Sequence, residues 1–478
     1  MKENKKMKNK KNKNRELQLV MYFFFLLFLG MIGYFIYFQV AKSTTFINNP
    51  YNKLPDVYAD HVIRGRIEST DGYVLAESLI TENGEEERIY PYKEKTAHVV
   101  GYAVNGKAGI EKQANISLLT SNEFFVKRIA DDLSGKKSTA DTVVLNLNYM
   151  LQECCYNALA DYDGAVVVME PKTGKILAMV SKPDFDPNAL MEEWETINEK
   201  GSTVLFNRAT QGSYTPGSVF KIFTTLAYYR EHNATDEGYT FSCEGQITKD
   251  GKTIHCASNH KHGTENLLDS FANSCNASYA NLGVDLNVEN WSKLCDSLLF
   301  NQNLPIAFES GVSSFSLQEN DSVALRMETA IGQGRTTVSP LHMVMIMSAI
   351  ANDGVLMTPY LIDHIENTDS VCVQSYSPKE HQTLLSQKEA AFLQEYLAQV
   401  VSEGTGKKLQ SDRYQAFGKT GTAQVSDQKD TTNAWFVGYA KQEGYEDLAI
   451  AVVVENSGSG STYAVPIAKK VFDLYFGQ

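Results

Sequence analysis

Ser218 and Lys221 stand three residues apart in Thr215-Pro216-Gly217-Ser218-Val219-Phe220-Lys221. Pro and Gly punctuate the approach, and Val219, Phe220, Ile222, Phe223 and Leu226 continue at helical spacing, which predicts a helix entry here. Residues three apart on a helix have Cβ atoms about 5–6 Å from each other. That spacing puts an amine on the same face as a hydroxyl, the pairing needed for a serine nucleophile and its base. Backbone N–H groups at a helix start also favour negative charge, as an oxyanion formed by serine attack would require. Ser-x-x-Lys recurs at Ser134/Lys137, Ser258/Lys261 and Ser426/Lys429. Only the copy at Ser218 combines a helix entry with the two companions that follow.

The first companion is Ser274-Cys275-Asn276, the single Ser-x-Asn of the chain. A second hydroxyl can relay a proton, and a side-chain amide can both donate to and accept from a peptide substrate. The second is Lys419-Thr420-Gly421-Thr422. Lys-Thr-Gly also occurs at 172–174, where it reads as a turn between two strands. The later copy opens a strand, so Lys419 and Gly421 share a face. A missing side chain there lets another backbone approach, and an extended peptide can add to that edge with its terminal carboxylate at Lys419 and Thr420.

The positioning elements are read from texture. Apolar runs at Gly164–Glu170 and Lys175–Val180 predict strands joined by the turn Pro171–Gly174. A helical stretch from Leu267 to Leu282, a largely helical middle to about residue 352 and a helix from Lys388 to Ser402 follow. Strands return at Phe417–Val425, Ala434–Tyr439 and Leu448–Glu455, and an amphipathic helix closes the chain around Pro466–Leu474. This order predicts an α+β fold with one mostly antiparallel sheet under helices. Residues 42–141 read differently, as short β-like runs and polar turns that include 98–102 and 109–111. Asp71-Gly72 before an apolar alternation marks a hairpin there.

At 478 residues and a net charge of −13, the chain is long enough for two or three domains and too acidic for nucleic acid to be its main partner. The charge is uneven: residues 1–16 hold eight Lys/Arg against two Glu. Leu17 to Ala41 then carry no charge, which exceeds the ~20 residues needed to cross a bilayer and the apolar core of a cleaved signal peptide. The expectation is a cytoplasmic basic tail (1–16), an uncleaved transmembrane anchor (17–41), and everything after Lys42 outside. Cys243 and Cys256 bracket a polar loop and could form a disulfide in that compartment. His255, His260 and His262 lie near Cys256, but their spacing fits none of the usual zinc ligand pairs, so no metal is expected.

Taken in order, the three motifs resemble those of class B, monofunctional penicillin-binding proteins, the D,D-transpeptidases of peptidoglycan synthesis. The similarity runs from about residue 60 and includes Arg64-Gly65, Gly109-Ile110-Glu111, Asp184–Asn188, Asn207-Arg208, Gly332-Gln333-Gly334, Ser339-Pro340-Leu341, Gly404-Thr405-Gly406 and Trp435–Gly438. One departure is Ser69-Thr70, where that family has an acidic-basic pair. The resemblance implies a membrane-proximal pedestal (42–141) and a transpeptidase domain (142–478). It implies that Ser218 is acylated by D-Ala-D-Ala stem peptides or by β-lactams, with Lys221 as general base, Ser274 as proton relay and Asn276 on the substrate amide. Lys419 would depress the pKa of Lys221. Thr420, Gly421 and Thr422 would bind substrate, with the N–H groups of Ser218 and Thr422 as oxyanion hole. No cofactor is implied; a membrane glycosyltransferase partner is. A D,D-carboxypeptidase, a β-lactamase, a β-lactam sensor and a non-catalytic scaffold are the alternatives.

Overall fold

The computed structural model describes residues 2–42, 62–124, 134, 136–425 and 431–477. The chain divides into two units, Met1–His61 and Val62–Gln478. In the first, helix α1 (Lys2–Tyr37) contains a segment, Arg15–Tyr37, that is long and apolar enough to span a membrane.

The second unit opens with a small sheet. Strands β1 (Ile67–Glu68) and β2 (Val74–Ile80) form the hairpin expected at Asp71-Gly72, with Gly72 at φ +82° and the Ser69 hydroxyl accepting from the Tyr73 N–H at 3.0 Å. Strand β3 (Glu86–Ile89) extends one edge and β4 (Thr142–Leu145) the other, followed by Ile362–Glu366 and Cys372–Ser375 from much later in the chain. The expected β-like runs at 98–102 and 109–111 are instead short helices, Ala97–Val100 and Gly109–Gln113. Their apolar residues, Val99, Val100 and Ile110, are buried, and so few residues carry no periodicity that separates helix from strand.

Helix α2 (Tyr149–Leu159), capped by the Asn148 side chain, leads into β5 (Gly164–Met169) and β6 (Ile176–Lys182). Helix α3 (Lys221–Glu231) begins at the lysine of the first motif. Four short strands follow, β7 (Phe241–Cys243), β8 (Gln246–Lys249), β9 (Lys252–His255) and β10 (Gly263–Glu265), pairing β8 with β9 and β10 with β7. The stretch expected as one helix from Leu267 to Leu282 is two, α4 (Leu267–Ala272) and α5 (Asn276–Asp285), broken at Ser274. Helix α6 (Pro340–Ala351) is buried along its whole length, with Ser339 capping it and Pro340 in its first turn. Helix α7 (Gln387–Ser402) starts from a capping box, and β11 (Gln415–Gln424), β12 (Thr432–Lys441), β13 (Leu448–Val454) and α8 (Gly460–Tyr475) end the chain.

The main sheet runs β11-β12-β13-β5-β6, antiparallel throughout, so the first apolar strand pair lies beside the last strands. Alternation along β5 divides the core: Ala165, Val167 and Met169 share a cluster with α6, while Val166 and Val168 share one with α2 and α8. The result is helices on both faces of one sheet. Strand β11 is its edge, and the three motifs gather there.

Candidate active site

Ser218 lies on a 3-10 turn, Gly217–Phe220, that runs directly into α3 at Lys221. In a 3-10 turn residues i and i+3 eclipse, which sets Lys221, the first residue after the turn, on the face of Ser218. Gly217 makes the turn possible. It sits at φ +55°, donates its N–H to the Gly332 carbonyl at 2.8 Å, and a Cβ there would lie 2.7 Å from the Thr422 carbonyl oxygen. From the other side, a Cβ on Gly421 would come within 3.0 Å of the Pro216 carbonyl and of Val219. Two glycines thus let the nucleophile turn press against β11. The Trp435 indole N–H, donating to the Thr215 carbonyl at 3.2 Å, fixes the approach loop.

The break at Ser274 serves the same convergence. Ser274 adopts φ +57°, rare for a residue with a side chain, and Cys275 becomes the cap of α5. Ser274 and Asn276 are thereby turned towards Lys221. The Lys221 ammonium donates to the Ser274 carbonyl (2.7 Å), the Ser274 hydroxyl (3.1 Å) and the Asn276 Oδ1 (2.8 Å), engaging all three of its N–H groups. Asn276 Nδ2 in turn donates to the His255 carbonyl at 2.9 Å. The Lys221 ammonium also lies 5.1 Å from the Tyr279 ring centroid.

Lys419 is fully buried on β11, 5.5 Å from the Phe271 ring centroid, and Thr420 shares a 2.5 Å hydroxyl contact with Thr405. Thr422 is exposed beside the Ser218 turn. Burial pushes the Lys221 amine down to about 8, against the opposing pull of Cys275, Cys256 and Glu265. Burial also drives Lys419 well down, and there the charge of Lys221 adds to it. Desolvation is the first cause of both shifts, and the mutual repulsion of Lys221 and Lys419 disfavours the state in which both are cationic.

All eight residues singled out from sequence, Ser218, Lys221, Ser274, Asn276, Lys419, Thr420, Gly421 and Thr422, belong to this one region. The Ser258/Lys261 pair does not join it, since Lys261 pairs with Glu244 at the surface; Ser426/Lys429 lies outside the described residues. The earlier Lys-Thr-Gly is only a turn, with Gly174 at φ +84°. Thr405 and Gly332, which the sequence offers only within family phrases and without a role, enter the site by what they touch: the Thr420 hydroxyl and the Gly217 N–H. Cys243 and Cys256 are not joined; both are free thiols with sulfurs 3.6 Å apart.

A Ser-x-x-Lys, Ser-x-Asn and Lys-Thr-Gly constellation with both lysines buried, on the edge of an antiparallel sheet, defines a serine acyl-transferase of the penicillin-binding type. Residues 164–473 match the penicillin binding protein transpeptidase domain, and residues 64–143 match the penicillin binding protein A dimerisation domain. The chain belongs to the penicillin-binding protein transpeptidase family. It is 28% identical to the peptidoglycan D,D-transpeptidase PbpA of Mycolicibacterium smegmatis over 85% of this chain and 87% of that protein. It is 31% identical to stage V sporulation protein D of Bacillus subtilis over 80% of this chain and 63% of that protein. Among solved structures it is similar to penicillin-binding protein A from M. tuberculosis as an imipenem acyl-enzyme complex (TM-score 0.78, 28% identity, 88% of this chain and 99% of that one). It is also similar to a D,D-transpeptidase domain from Eggerthella lenta (TM-score 0.76, 30% identity, 87% and 99%).

Proposed function

We propose that this chain cross-links peptidoglycan stem peptides as a serine D,D-transpeptidase and is acylated by β-lactams at the same serine. The observation that carries the assignment of roles is the Lys221 amine, three residues on from Ser218 and held by both Ser274 and Asn276. Neutral Lys221 takes the Ser218 proton as Oγ bonds the carbonyl carbon of the penultimate D-alanine. The carbonyl oxygen becomes an oxyanion facing the N–H groups of Ser218 and Thr422; losing one such donor typically costs about 10²–10³ in rate. Collapse breaks the C–N bond, and Ser274 passes the proton from Lys221 to the departing D-alanine amine. An acceptor amine then attacks the ester, the C–O bond breaks and Ser218 regains its proton. Asn276 holds the substrate amide, Thr420, Gly421 and Thr422 hold the extended peptide on the free edge of β11, and Lys419 with Thr420 meets its carboxylate.

The basic residues before Arg15–Tyr37 support a cytoplasmic N-terminus and an extracytoplasmic catalytic unit. The residues between anchor and transpeptidase region are too few to polymerise glycan as well, which supports a separate membrane glycosyltransferase as partner. Fluorescent penicillin is expected to label the full chain covalently and to leave Ser218→Ala unlabelled, with the adduct mapping to the Ser218 peptide. An adduct that survives this substitution would refute the assignment. Slow release of the label separates a transpeptidase from a β-lactamase, which would clear it rapidly.

A further inference from the structure

Behind the active site, Cys243, Cys256, His262 and Cys275 point their ligating atoms at one another, all within 4.8 Å. They come from four separate places: the end of β7, the residue after β9, the residue before β10 and the cap of α5. The spacings are those of a coordination shell. A tetrahedral zinc ion with Zn–S arms of about 2.3 Å sets its sulfurs about 3.8 Å apart, and a sulfur and a nitrogen about 3.5 Å apart. Here Cys243 and Cys256 are 3.6 Å apart, Cys256 and Cys275 3.8 Å, and Cys243 Sγ and His262 Nδ1 3.4 Å. The Gly245 N–H donates to Cys243 Sγ at 3.4 Å and the Ser278 N–H to Cys275 Sγ at 3.5 Å, the outer hydrogen bonds that orient thiolate ligands.

An independent observation comes from the segment itself. The two hairpin-like pairs β7/β10 and β8/β9 are largely exposed or half-buried, and their own apolar cluster is little more than Cys243, Cys256, Cys275 and Ala277. So small a core seldom holds two ribbons without a cross-link or a metal. A single disulfide would engage two sulfurs and leave the third and the imidazole converging on nothing.

We propose that Cys243, Cys256, His262 and Cys275 bind a structural zinc ion that fixes the Ser274–Asn276 segment. Three thiols bind as thiolates, releasing their protons, and neutral imidazole completes the shell; soft sulfur ligands in tetrahedral array suit zinc above harder divalent ions. Cys275 is the middle residue of the Ser-x-Asn motif, so the ion anchors the segment whose left-handed turn presents Ser274 and Asn276 to Lys221. Cys256 adjoins His255, whose carbonyl accepts from Asn276. The four residues are thus positioning residues. This departs from the expectation of no metal, which rested on ligand pairs close in sequence.

The positioning half of the inference rests on the proposed transpeptidase reading; the metal half does not. Full-length chain purified in detergent without added metal is expected to carry about one zinc per chain by elemental analysis. Substituted with Co²⁺, it should show thiolate-to-metal absorption and tetrahedral ligand-field bands. Cys243→Ser and His262→Ala should lose at least about nine-tenths of the zinc, and His262→Cys should retain it. Penicillin acylation should slow about ten- to a hundredfold in His262→Ala and recover in His262→Cys. Parent chain with less than about a tenth of an equivalent of zinc, or with Cys243 and Cys256 joined on peptide mapping, overturns the metal site. Zinc lost from His262→Ala with acylation unchanged overturns its positioning role. Stoichiometric zinc in a parent chain that no penicillin labels leaves the site standing and sinks the transpeptidase reading instead.

Discussion

A buried cluster of charge in the pedestal and another in the active site are built on opposite plans. In the pedestal, the fully buried Glu111 accepts from Arg64 Nε at 2.7 Å, Arg88 Nε at 2.8 Å and the Tyr90 hydroxyl at 3.2 Å, while Arg64 Nη1 donates to Asn115 at 2.8 Å. Burial alone would raise the Glu111 carboxyl; the two guanidiniums outweigh it and hold it below the ordinary carboxylate value. In the active site, Lys221 and Lys419 are buried without any carboxylate among their hydrogen-bond partners, and burial drives both amines down. One cluster is compensated and stays ionised. The other is left uncompensated, so a lysine can become a base near neutral pH. An ordinary lysine, of pKa about 10.4, would need about 4.6 kcal/mol to be neutral at pH 7. The fold supplies part of that in advance, through the burial of α3 against α5.

The contrast breaks most visibly at Lys221. Lys221→Met keeps the volume of the chain and removes the base, so acylation by penicillin should fall about 10²–10⁴-fold while the thermal unfolding curve changes little or improves. A variant that acylates at the parent rate would place the base elsewhere.

Glu111→Gln applies the same operation to the compensated cluster and should act in the opposite currency. Two guanidiniums would be left without their buried counter-charge, at a cost of about 3–5 kcal/mol in stability. Folded protein should still label with penicillin at close to the parent rate, because every partner of Glu111 named above lies in the pedestal. The sign with pH follows from the depressed carboxyl: its stabilisation is present above the unfolded-chain value of about 4.3 and is lost as pH falls through the lower folded value. Urea midpoints of parent and variant that converge on acidification would support this, and a constant gap would count against it.

These clusters also mark where sequence reading succeeds and where it stops. The strands of the main sheet were legible because β5, β6, β12 and β13 are long apolar runs between turn residues, buried on both faces. The eight site residues were legible because each motif couples a chemical group to a fixed spacing. The break between α4 and α5 was not, although Asn273-Ser274-Cys275-Asn276 is a run of residues that favour caps over helix interiors. The closing helix begins at Gly460, well before Pro466, where a Cβ would lie 2.1 Å from the Trp435 carbonyl and 2.5 Å from that of Gly421. Only tertiary contact reveals why that glycine is there. The sulfur cluster was least legible of all, because its ligands come from four elements and no pair of them sits at a familiar spacing. The small sheet that includes the pedestal strands likewise draws in Ile362–Glu366 from far along the chain, a long-range pairing that no local pattern announces.

The smallest expected effect is the most discriminating, because it separates a buried base from a merely buried cation. With the Lys221 amine pushed down to about 8, the neutral fraction changes steeply just where most assays are run. Below that value the neutral form falls about tenfold per pH unit, and above it the form is nearly complete. The second-order rate of penicillin acylation should therefore rise with slope one from about pH 6 and level off above about pH 8. The residual acylation of Lys221→Met should show no such rise, since the titrating group is gone. Burial first and the charge of Lys221 second drive Lys419 well down as well. A parent profile that stays flat across this range would mean that the proton of Ser218 leaves by another route, and the difference between the two charge clusters would then be one of stability alone.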